Sequence, residues 1–175
     1  MKKAHLLLTF TLFSIWKLCP ASEQPSPVLD IRGNVVRAGV DYYILPVIRG
    51  MGGGLTVGST GNRTCPFNVV QEQLEVDDGL PLTFHPVDPK RGVVRVSTDH
   101  NIEFSGGLKG NPGRETVSNW FKIEEYEGDY KLVFCPTVCN YCKVVCKDVG
   151  VFVEDGQRVL ALTDNAPFRV MFKKA

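Results

Sequence analysis

The chain has 175 residues, 20 Lys plus Arg against 19 Asp plus Glu, and 43% apolar residues. One domain fits that length. The apolar share fills a core and excludes a disordered chain, and the near-zero charge excludes a nucleic-acid binder with a broad basic surface. Valine occurs 23 times and alanine six, beside 17 glycines and 11 prolines. That mix favours strands joined by tight turns and excludes a helical bundle.

Residues 1–21 read as a secretory signal peptide, with cleavage after Ala21 or Ser22. Lys2 and Lys3 form the basic start, the apolar run from Leu6 to Trp16 carries no charge, and Cys19-Pro20-Ala21 ends on a small residue. A membrane anchor needs about 20 apolar residues, and Lys17 stops this run too early. No membrane partner is therefore expected after cleavage, and residues 22–175 form one secreted domain. Cys19 leaves with the leader, so five of the six cysteines remain. In an oxidising compartment an odd count leaves one thiol free or bridged to another molecule.

Strands are predicted over residues 28–30 and 42–48, separated by a turn at Arg32-Gly33-Asn34. Residues 50–61 form a glycine-rich loop, 69–76 a half-buried strand ended by Asp77-Asp78-Gly79, and 81–92 an extended, proline-spaced segment. Further short strands are predicted over 93–96, 102–104, 120–123, 130–134, 151–153, 158–162 and 168–172. Turn chemistry punctuates them at Glu127-Gly128-Asp129, Glu154-Asp155-Gly156-Gln157 and Asp164-Asn165-Ala166-Pro167. Many short strands at regular spacing indicate an all-β sandwich or barrel. There is no helix signature.

Cys135, Cys139, Cys142 and Cys146 stand in C-x3-C-x2-C-x3-C order. Four thiols so close could bind zinc, and Cys139-Asn140-Tyr141-Cys142 could be a redox pair. Secretion favours disulfides instead, and no helix N-terminus is in sight to activate a thiol. If the chain reverses at Asn140-Tyr141, the spacing favours nested bridges Cys135–Cys146 and Cys139–Cys142. Cys65 is then the unpaired cysteine, open to a disulfide-linked homodimer. Asn62-Arg63-Thr64 is an N-glycosylation sequon, with Asn62 as acceptor.

Catalytic motifs are missing. The mature chain has two histidines, His85 and His100, and no H-E-x-x-H, G-x-S-x-G or G-K-[ST]. Asp77-Asp78 and Glu124-Glu125 are acid pairs, but adjacent strand residues point to opposite faces. The sequence therefore reads as a non-enzyme with no cofactor and no metal.

Several segments resemble the plant Kunitz (soybean trypsin inhibitor) family, most closely its miraculin-like branch. They are Val28-Leu29-Asp30-Ile31-Arg32-Gly33-Asn34, Tyr42-Tyr43-Ile44-Leu45-Pro46, Gly53-Gly54-Leu55-Thr56-Val57, Trp120-Phe121-Lys122-Ile123-Glu124 and Tyr130-Lys131-Leu132-Val133-Phe134-Cys135-Pro136, with Asp148-Val149-Gly150-Val151 and Arg158-Val159-Leu160-Ala161-Leu162 following in family order. The resemblance implies a β-trefoil: a six-stranded barrel closed by three hairpins. It also implies serine endopeptidase inhibition, by a loop between the fourth and fifth strands that mimics a substrate of a trypsin-like protease. The matching residues are Pro89, Lys90, Arg91 and Gly92, with Lys90 or Arg91 entering the specificity pocket and Pro86 and Pro89 stiffening the approach. The competing expectation is a non-inhibitory secreted storage protein, or one that binds a glycan or receptor.

Two departures qualify that picture. The family carries a further stretch after Phe104-Ser105 that is absent here, about 25–30 residues by strand and turn lengths. It would hold two or three strands and the cysteine that pairs with the Cys65 position. Its loss is expected to leave the trefoil incomplete; a barrel left open would expose strand edges. Second, inhibitors of the family brace the loop with an Asn just before an early Gly. Here Ala38 precedes Gly39, and a methyl group makes no hydrogen bond. Weak inhibition at best is expected, with slow cleavage after Lys90 or Arg91.

Overall fold

In a computed structural model, residues 24–59, 68–104 and 112–175 are described. The leader, the sequon at Asn62, Cys65 and the residues just after Phe104 lie outside them. Ten strands follow in order: β1 (Asp41–Pro46), β2 (Leu55–Gly58), β3 (Asn68–Gln71), β4 (Leu82–Pro86), β5 (His100–Phe104), β6 (Trp120–Tyr126), β7 (Asp129–Phe134), β8 (Lys147–Glu154), β9 (Gln157–Thr163) and β10 (Arg169–Lys174). The helical elements among the described residues are two 3-10 turns, Pro89–Arg91 and Arg114–Asn119.

Six strands form the barrel. Antiparallel pairing runs β10–β1–β4–β5–β6–β7, and β7 returns to β10 through Arg169 opposite Lys131 and Val170 opposite Tyr130. The barrel is therefore closed. Two hairpins, β2–β3 and β8–β9, are inserted between barrel strands and pair with each other through Val70 opposite Val159. One hairpin lies within residues 47–81, between β1 and β4, and the other within 135–168, between β7 and β10. Only residues 105–119 join β5 to β6. Among the described residues the third cap has no counterpart, and all six barrel staves are present. This is the all-β barrel of a β-trefoil.

The alternation of each barrel strand builds the core. Tyr42 and Ile44 of β1, Leu82 and Phe84 of β4, Ile123 of β6, Leu132 of β7 and Val170 and Phe172 of β10 are buried at two-residue spacing. Phe84 meets Phe172 edge to face with ring centres 5.5 Å apart, a favoured aromatic geometry. Val28, Val36 and Val94 plug the same core from the segments flanking the barrel, and they are tied by bonds from Val28 N–H to the Val94 carbonyl and from Val94 N–H to the Val36 carbonyl.

Local expectations differ from the structure at several points. Residues 55–58, inside the glycine-rich stretch, form a strand because Gly53 and Gly54 sit so close to the backbone of residues 72–78 that a Cβ would collide with it. The strand at 69–76 stops at Gln71, and Leu74 and Val76 are exposed in the turn that follows. The proline-spaced 81–92 contains β4, with Pro86 at its end. Residues 93–96 make isolated bridges to Arg37 and Pro27 and do not form a ladder.

Candidate functional site

The segment from Val87 to Asp99 leaves the barrel between β4 and β5. Pro86 stands opposite His100 at the last register position, and Val87 N–H donates to the Asp99 carbonyl (3.0 Å), which closes the loop at its root. Asp88 then organises the tip. One carboxylate oxygen accepts from the Lys90 N–H (3.2 Å), and the other accepts from Arg91 Nε (3.0 Å). Its carbonyl accepts from the Arg91 N–H at 3.3 Å. Pro89 occupies the first turn, where no N–H is needed. Gly92 ends the turn with φ 59°, a left-handed conformation that costs glycine least.

The two basic residues are therefore unequal. Arg91 is held by Asp88, with both side chains about half exposed (45% and 46%). Lys90 is exposed and makes no ion pair among the described residues. The descending arm is tied down by its backbone. Ala38 N–H donates to the Gly92 carbonyl (3.2 Å), Arg37 bridges Val93, and Val96 N–H donates to the Ser26 carbonyl (3.0 Å). Ala38 thus contacts the loop through its amide, while its side chain contributes no hydrogen bond.

Sequence reasoning missed a further support. Asp99 is 4% exposed. Its Oδ2 accepts from the Thr137 N–H (3.1 Å) and from the Thr137 hydroxyl, and Lys122 Nζ lies 3.9 Å from its Oδ1. Thr137 sits inside the bridged segment, where Cys135 is bonded to Cys146 and Cys139 to Cys142. The cystine segment therefore buttresses the loop root. No local signal marks this contact, since its partners are 38 positions apart.

His100, next to Asp99, is fully buried. Its Nε2 lies 2.9 Å from the Arg95 carbonyl, a bond that can form only if Nε2 carries the proton. Nδ1 faces the core without a partner. Burial holds this imidazole below the ordinary histidine pKa, against the opposing pull of the Arg95 carbonyl and the Asp99 charge. His85 pairs with Glu103 at 3.0 Å on the barrel wall. Glu124 lies 3.7 Å from Lys131, whose amine also bonds Asp148 at 2.8 Å, and Asp78 pairs with Lys173. These acids serve ion pairs. No group of three or more potential metal ligands gathers among the described residues.

The arrangement is a basic loop, closed at its root and presented by a rigid barrel. A family model for the legume Kunitz proteins, described as trypsin and protease inhibitor, matches residues 28–106 and 105–174. Its two pieces meet where the third cap is missing. Kunitz trypsin inhibitor 5 of Arabidopsis thaliana is 53% identical over 192 aligned positions, covering 98% of this chain and 97% of the relative. Because the alignment is longer than the chain, the relative carries residues that are lacking here. Miraculin of Synsepalum dulcificum is 49% identical, covering 90% of this chain and 87% of the relative. Among solved structures, a complex of porcine pancreatic trypsin with soybean trypsin inhibitor matches with a TM-score of 0.68 at 27% identity, covering 85% of this chain and 99% of the other. A closed trefoil barrel, the ordered motifs and this extent of match have one reading: the chain belongs to the legume Kunitz family of trypsin and protease inhibitors.

Proposed function

We propose that this protein is a secreted inhibitor of trypsin-like serine proteases, with residues 22–175 as its mature domain and Pro89, Lys90, Arg91 and Gly92 as its reactive-site loop. Lys90 enters the specificity pocket, and Arg91 remains on Asp88 to hold the turn. The observation that carries this reading is the loop tip, where Asp88 fixes the Lys90 amide while the Lys90 side chain is exposed and makes no ion pair among the described residues. A loop ordered before binding avoids the cost of freezing its side chains, about 0.5–1.5 kcal/mol each. The experiment is a titration of trypsin with the secreted protein and with Lys90→Ala. Inhibition that survives Lys90→Ala removes the loop from the mechanism.

One observation favours a non-inhibitory role. Ala38 offers the loop a backbone amide and no side-chain brace, and a loop that moves is cut by the protease instead of holding it. The same titration separates the roles, since a substrate is consumed with time and an inhibitor is not.

A further inference from the structure

The barrel strands β1, β4, β5 and β7 and both caps surround a cavity of about 510 Å³, at the end of the barrel where the third hairpin is missing. That volume lies within the usual range for small-molecule sites, roughly 300–1,000 Å³. Its walls are apolar: Leu55 and Val69 come from one cap, Val149 and Leu160 from the other, and Ile102 and Phe104 from β5. Ile44, Leu82 and Leu132, all buried, are the barrel core residues that reach it. Ala161, exposed on β9, lines it from the solvent side.

One buried residue in this lining is polar. Asn101 is 2% exposed, and its Nδ2 has no hydrogen-bond partner among the described residues. An unpaired buried amide costs roughly 1–3 kcal/mol, and native structures leave few of them. A leucine here would pack against the same wall without that cost. Asn101 gives a mostly apolar chamber a buried donor without a partner among the described residues, whereas Ser118 and Asn119, which also line it, are exposed and bond each other at 3.2 Å. Mostly apolar walls with a few placed polar groups are the usual make-up of a site that orients a small ligand.

We propose that this cavity binds a small apolar carbonyl compound, a ketone or ester on an apolar ring or chain, whose oxygen accepts a hydrogen bond from Asn101 Nδ2. The site is separate from the protease-binding loop. The loop leaves the β4–β5 pair where Pro86 faces His100; Asn101 follows at the next register position, and the cavity runs from it away from the loop, toward Leu82 opposite Phe104.

The test uses the secreted protein with prodan, a neutral aromatic ketone whose emission moves to the blue on leaving water. N-phenyl-1-naphthylamine, which is apolar and has no carbonyl, is the control probe. Saturable blue-shifted prodan emission at one molecule per chain is expected. Asn101→Leu should weaken prodan roughly three- to tenfold, the worth of one neutral hydrogen bond, and leave phenylnaphthylamine within twofold. Ala161→Trp, a change at an exposed position, should weaken both probes at least tenfold. It carries the test by itself if Asn101→Leu does not fold. Lys90→Ala should leave prodan binding unchanged, so loss of inhibition and loss of the cavity site read out separately. Absence of saturable prodan binding, equal loss of both probes in Asn101→Leu, or full binding in Ala161→Trp overturns the proposal. So does a concentration-dependent dimer abolished by Ala161→Trp, which would make a second copy the occupant.

Discussion

The unequal surroundings of Lys90 and Arg91 give the most direct test of the loop. If Lys90 fills the protease pocket, Lys90→Ala removes a buried, charge-paired anchor, a class of contact worth at least about 2 kcal/mol, or about thirtyfold in Kd. Arg91→Ala removes only its pairing with Asp88. Both groups are close to half exposed, so that pair is worth about 0.2–1 kcal/mol, a factor of roughly 1.4–5. Asp88→Ala removes the same pair and also the acceptor for the Lys90 N–H. A side-chain cap of that kind is typically worth about 1 kcal/mol, so Asp88→Ala should cost more than Arg91→Ala although neither residue enters the pocket. The assay is inhibition of trypsin on a chromogenic substrate, with Kd fitted for each variant. If Arg91→Ala costs more than Lys90→Ala, the reading is refuted and the Asp88–Arg91 pair is a resting state that binding must break.

Four further outcomes are expected. Ala38→Asn should tighten trypsin inhibition and slow cleavage of the loop; unchanged values would mean that the Ala38 amide already supplies the bracing. Asp99→Ala should lower stability to urea by about 2–4 kcal/mol, since two hydrogen bonds to a buried carboxylate are lost, and should weaken inhibition by freeing the loop root; a change within 0.5 kcal/mol, the usual scale for a neutral surface site, would rule out the buttress. Because burial lowers the His100 pKa, the unfolded chain gains a proton below about pH 6.5 that the folded chain refuses. Stability should be at its full value above that pH and fall as pH drops through the folded-state value, by up to about 1.4 kcal/mol per unit, and His100→Gln should flatten the profile between pH 7 and 5. Cys65, left over once the four clustered cysteines have paired with one another, should take up an alkylating reagent in the non-reduced monomer; a monomer with no labelled cysteine sinks that assignment.

Fold and family were legible because the identifying segments are local runs in a fixed order. Tyr42 to Pro46 and Tyr130 to Phe134 each carry a buried face that any neighbouring strand must respect. What the sequence hid depends on distant partners. The strand at residues 55–58 looks like loop because its neighbours are glycines, and their purpose is visible only when the backbone of residues 72–78 lies against them. Leu74 and Val76 carry a strand-like alternation but fall in a turn, because β3 has already run out of partner at Gln71. The basic pair is plain in the sequence, whereas the capture of Arg91 by Asp88 needs the 3-10 turn to bring them together. Asp99 reads as an ordinary polar residue before a strand, and its hold on Thr137 exists only once the cystine segment has folded beside it.

The missing hairpin shows which parts of a trefoil are separable. A lost stave would leave two rows of unpaired N–H and C=O groups and an edge prone to pairing with other chains. A lost cap leaves the barrel ladder whole, since β5 still pairs with β4 and β6, and β7 still closes on β10. The cost falls mainly on apolar surface, with the unpartnered Asn101 amide beside it. It is limited because the floor of the exposed end is made of side chains that remain covered, Ile44 at 1%, Leu82 at 0% and Leu132 at 4% exposed. β5 spans five residues, so its two ends stand about 13 Å apart at the rise of an antiparallel strand. The loop root at His100 therefore keeps its bonds to β4, to Thr137 through Asp99 and to Phe121 of β6, whatever happens beyond Phe104. Loss of the cap opens a cavity at one end of β5 and leaves the geometry of the loop at the other end to Asp88, Ala38 and Asp99.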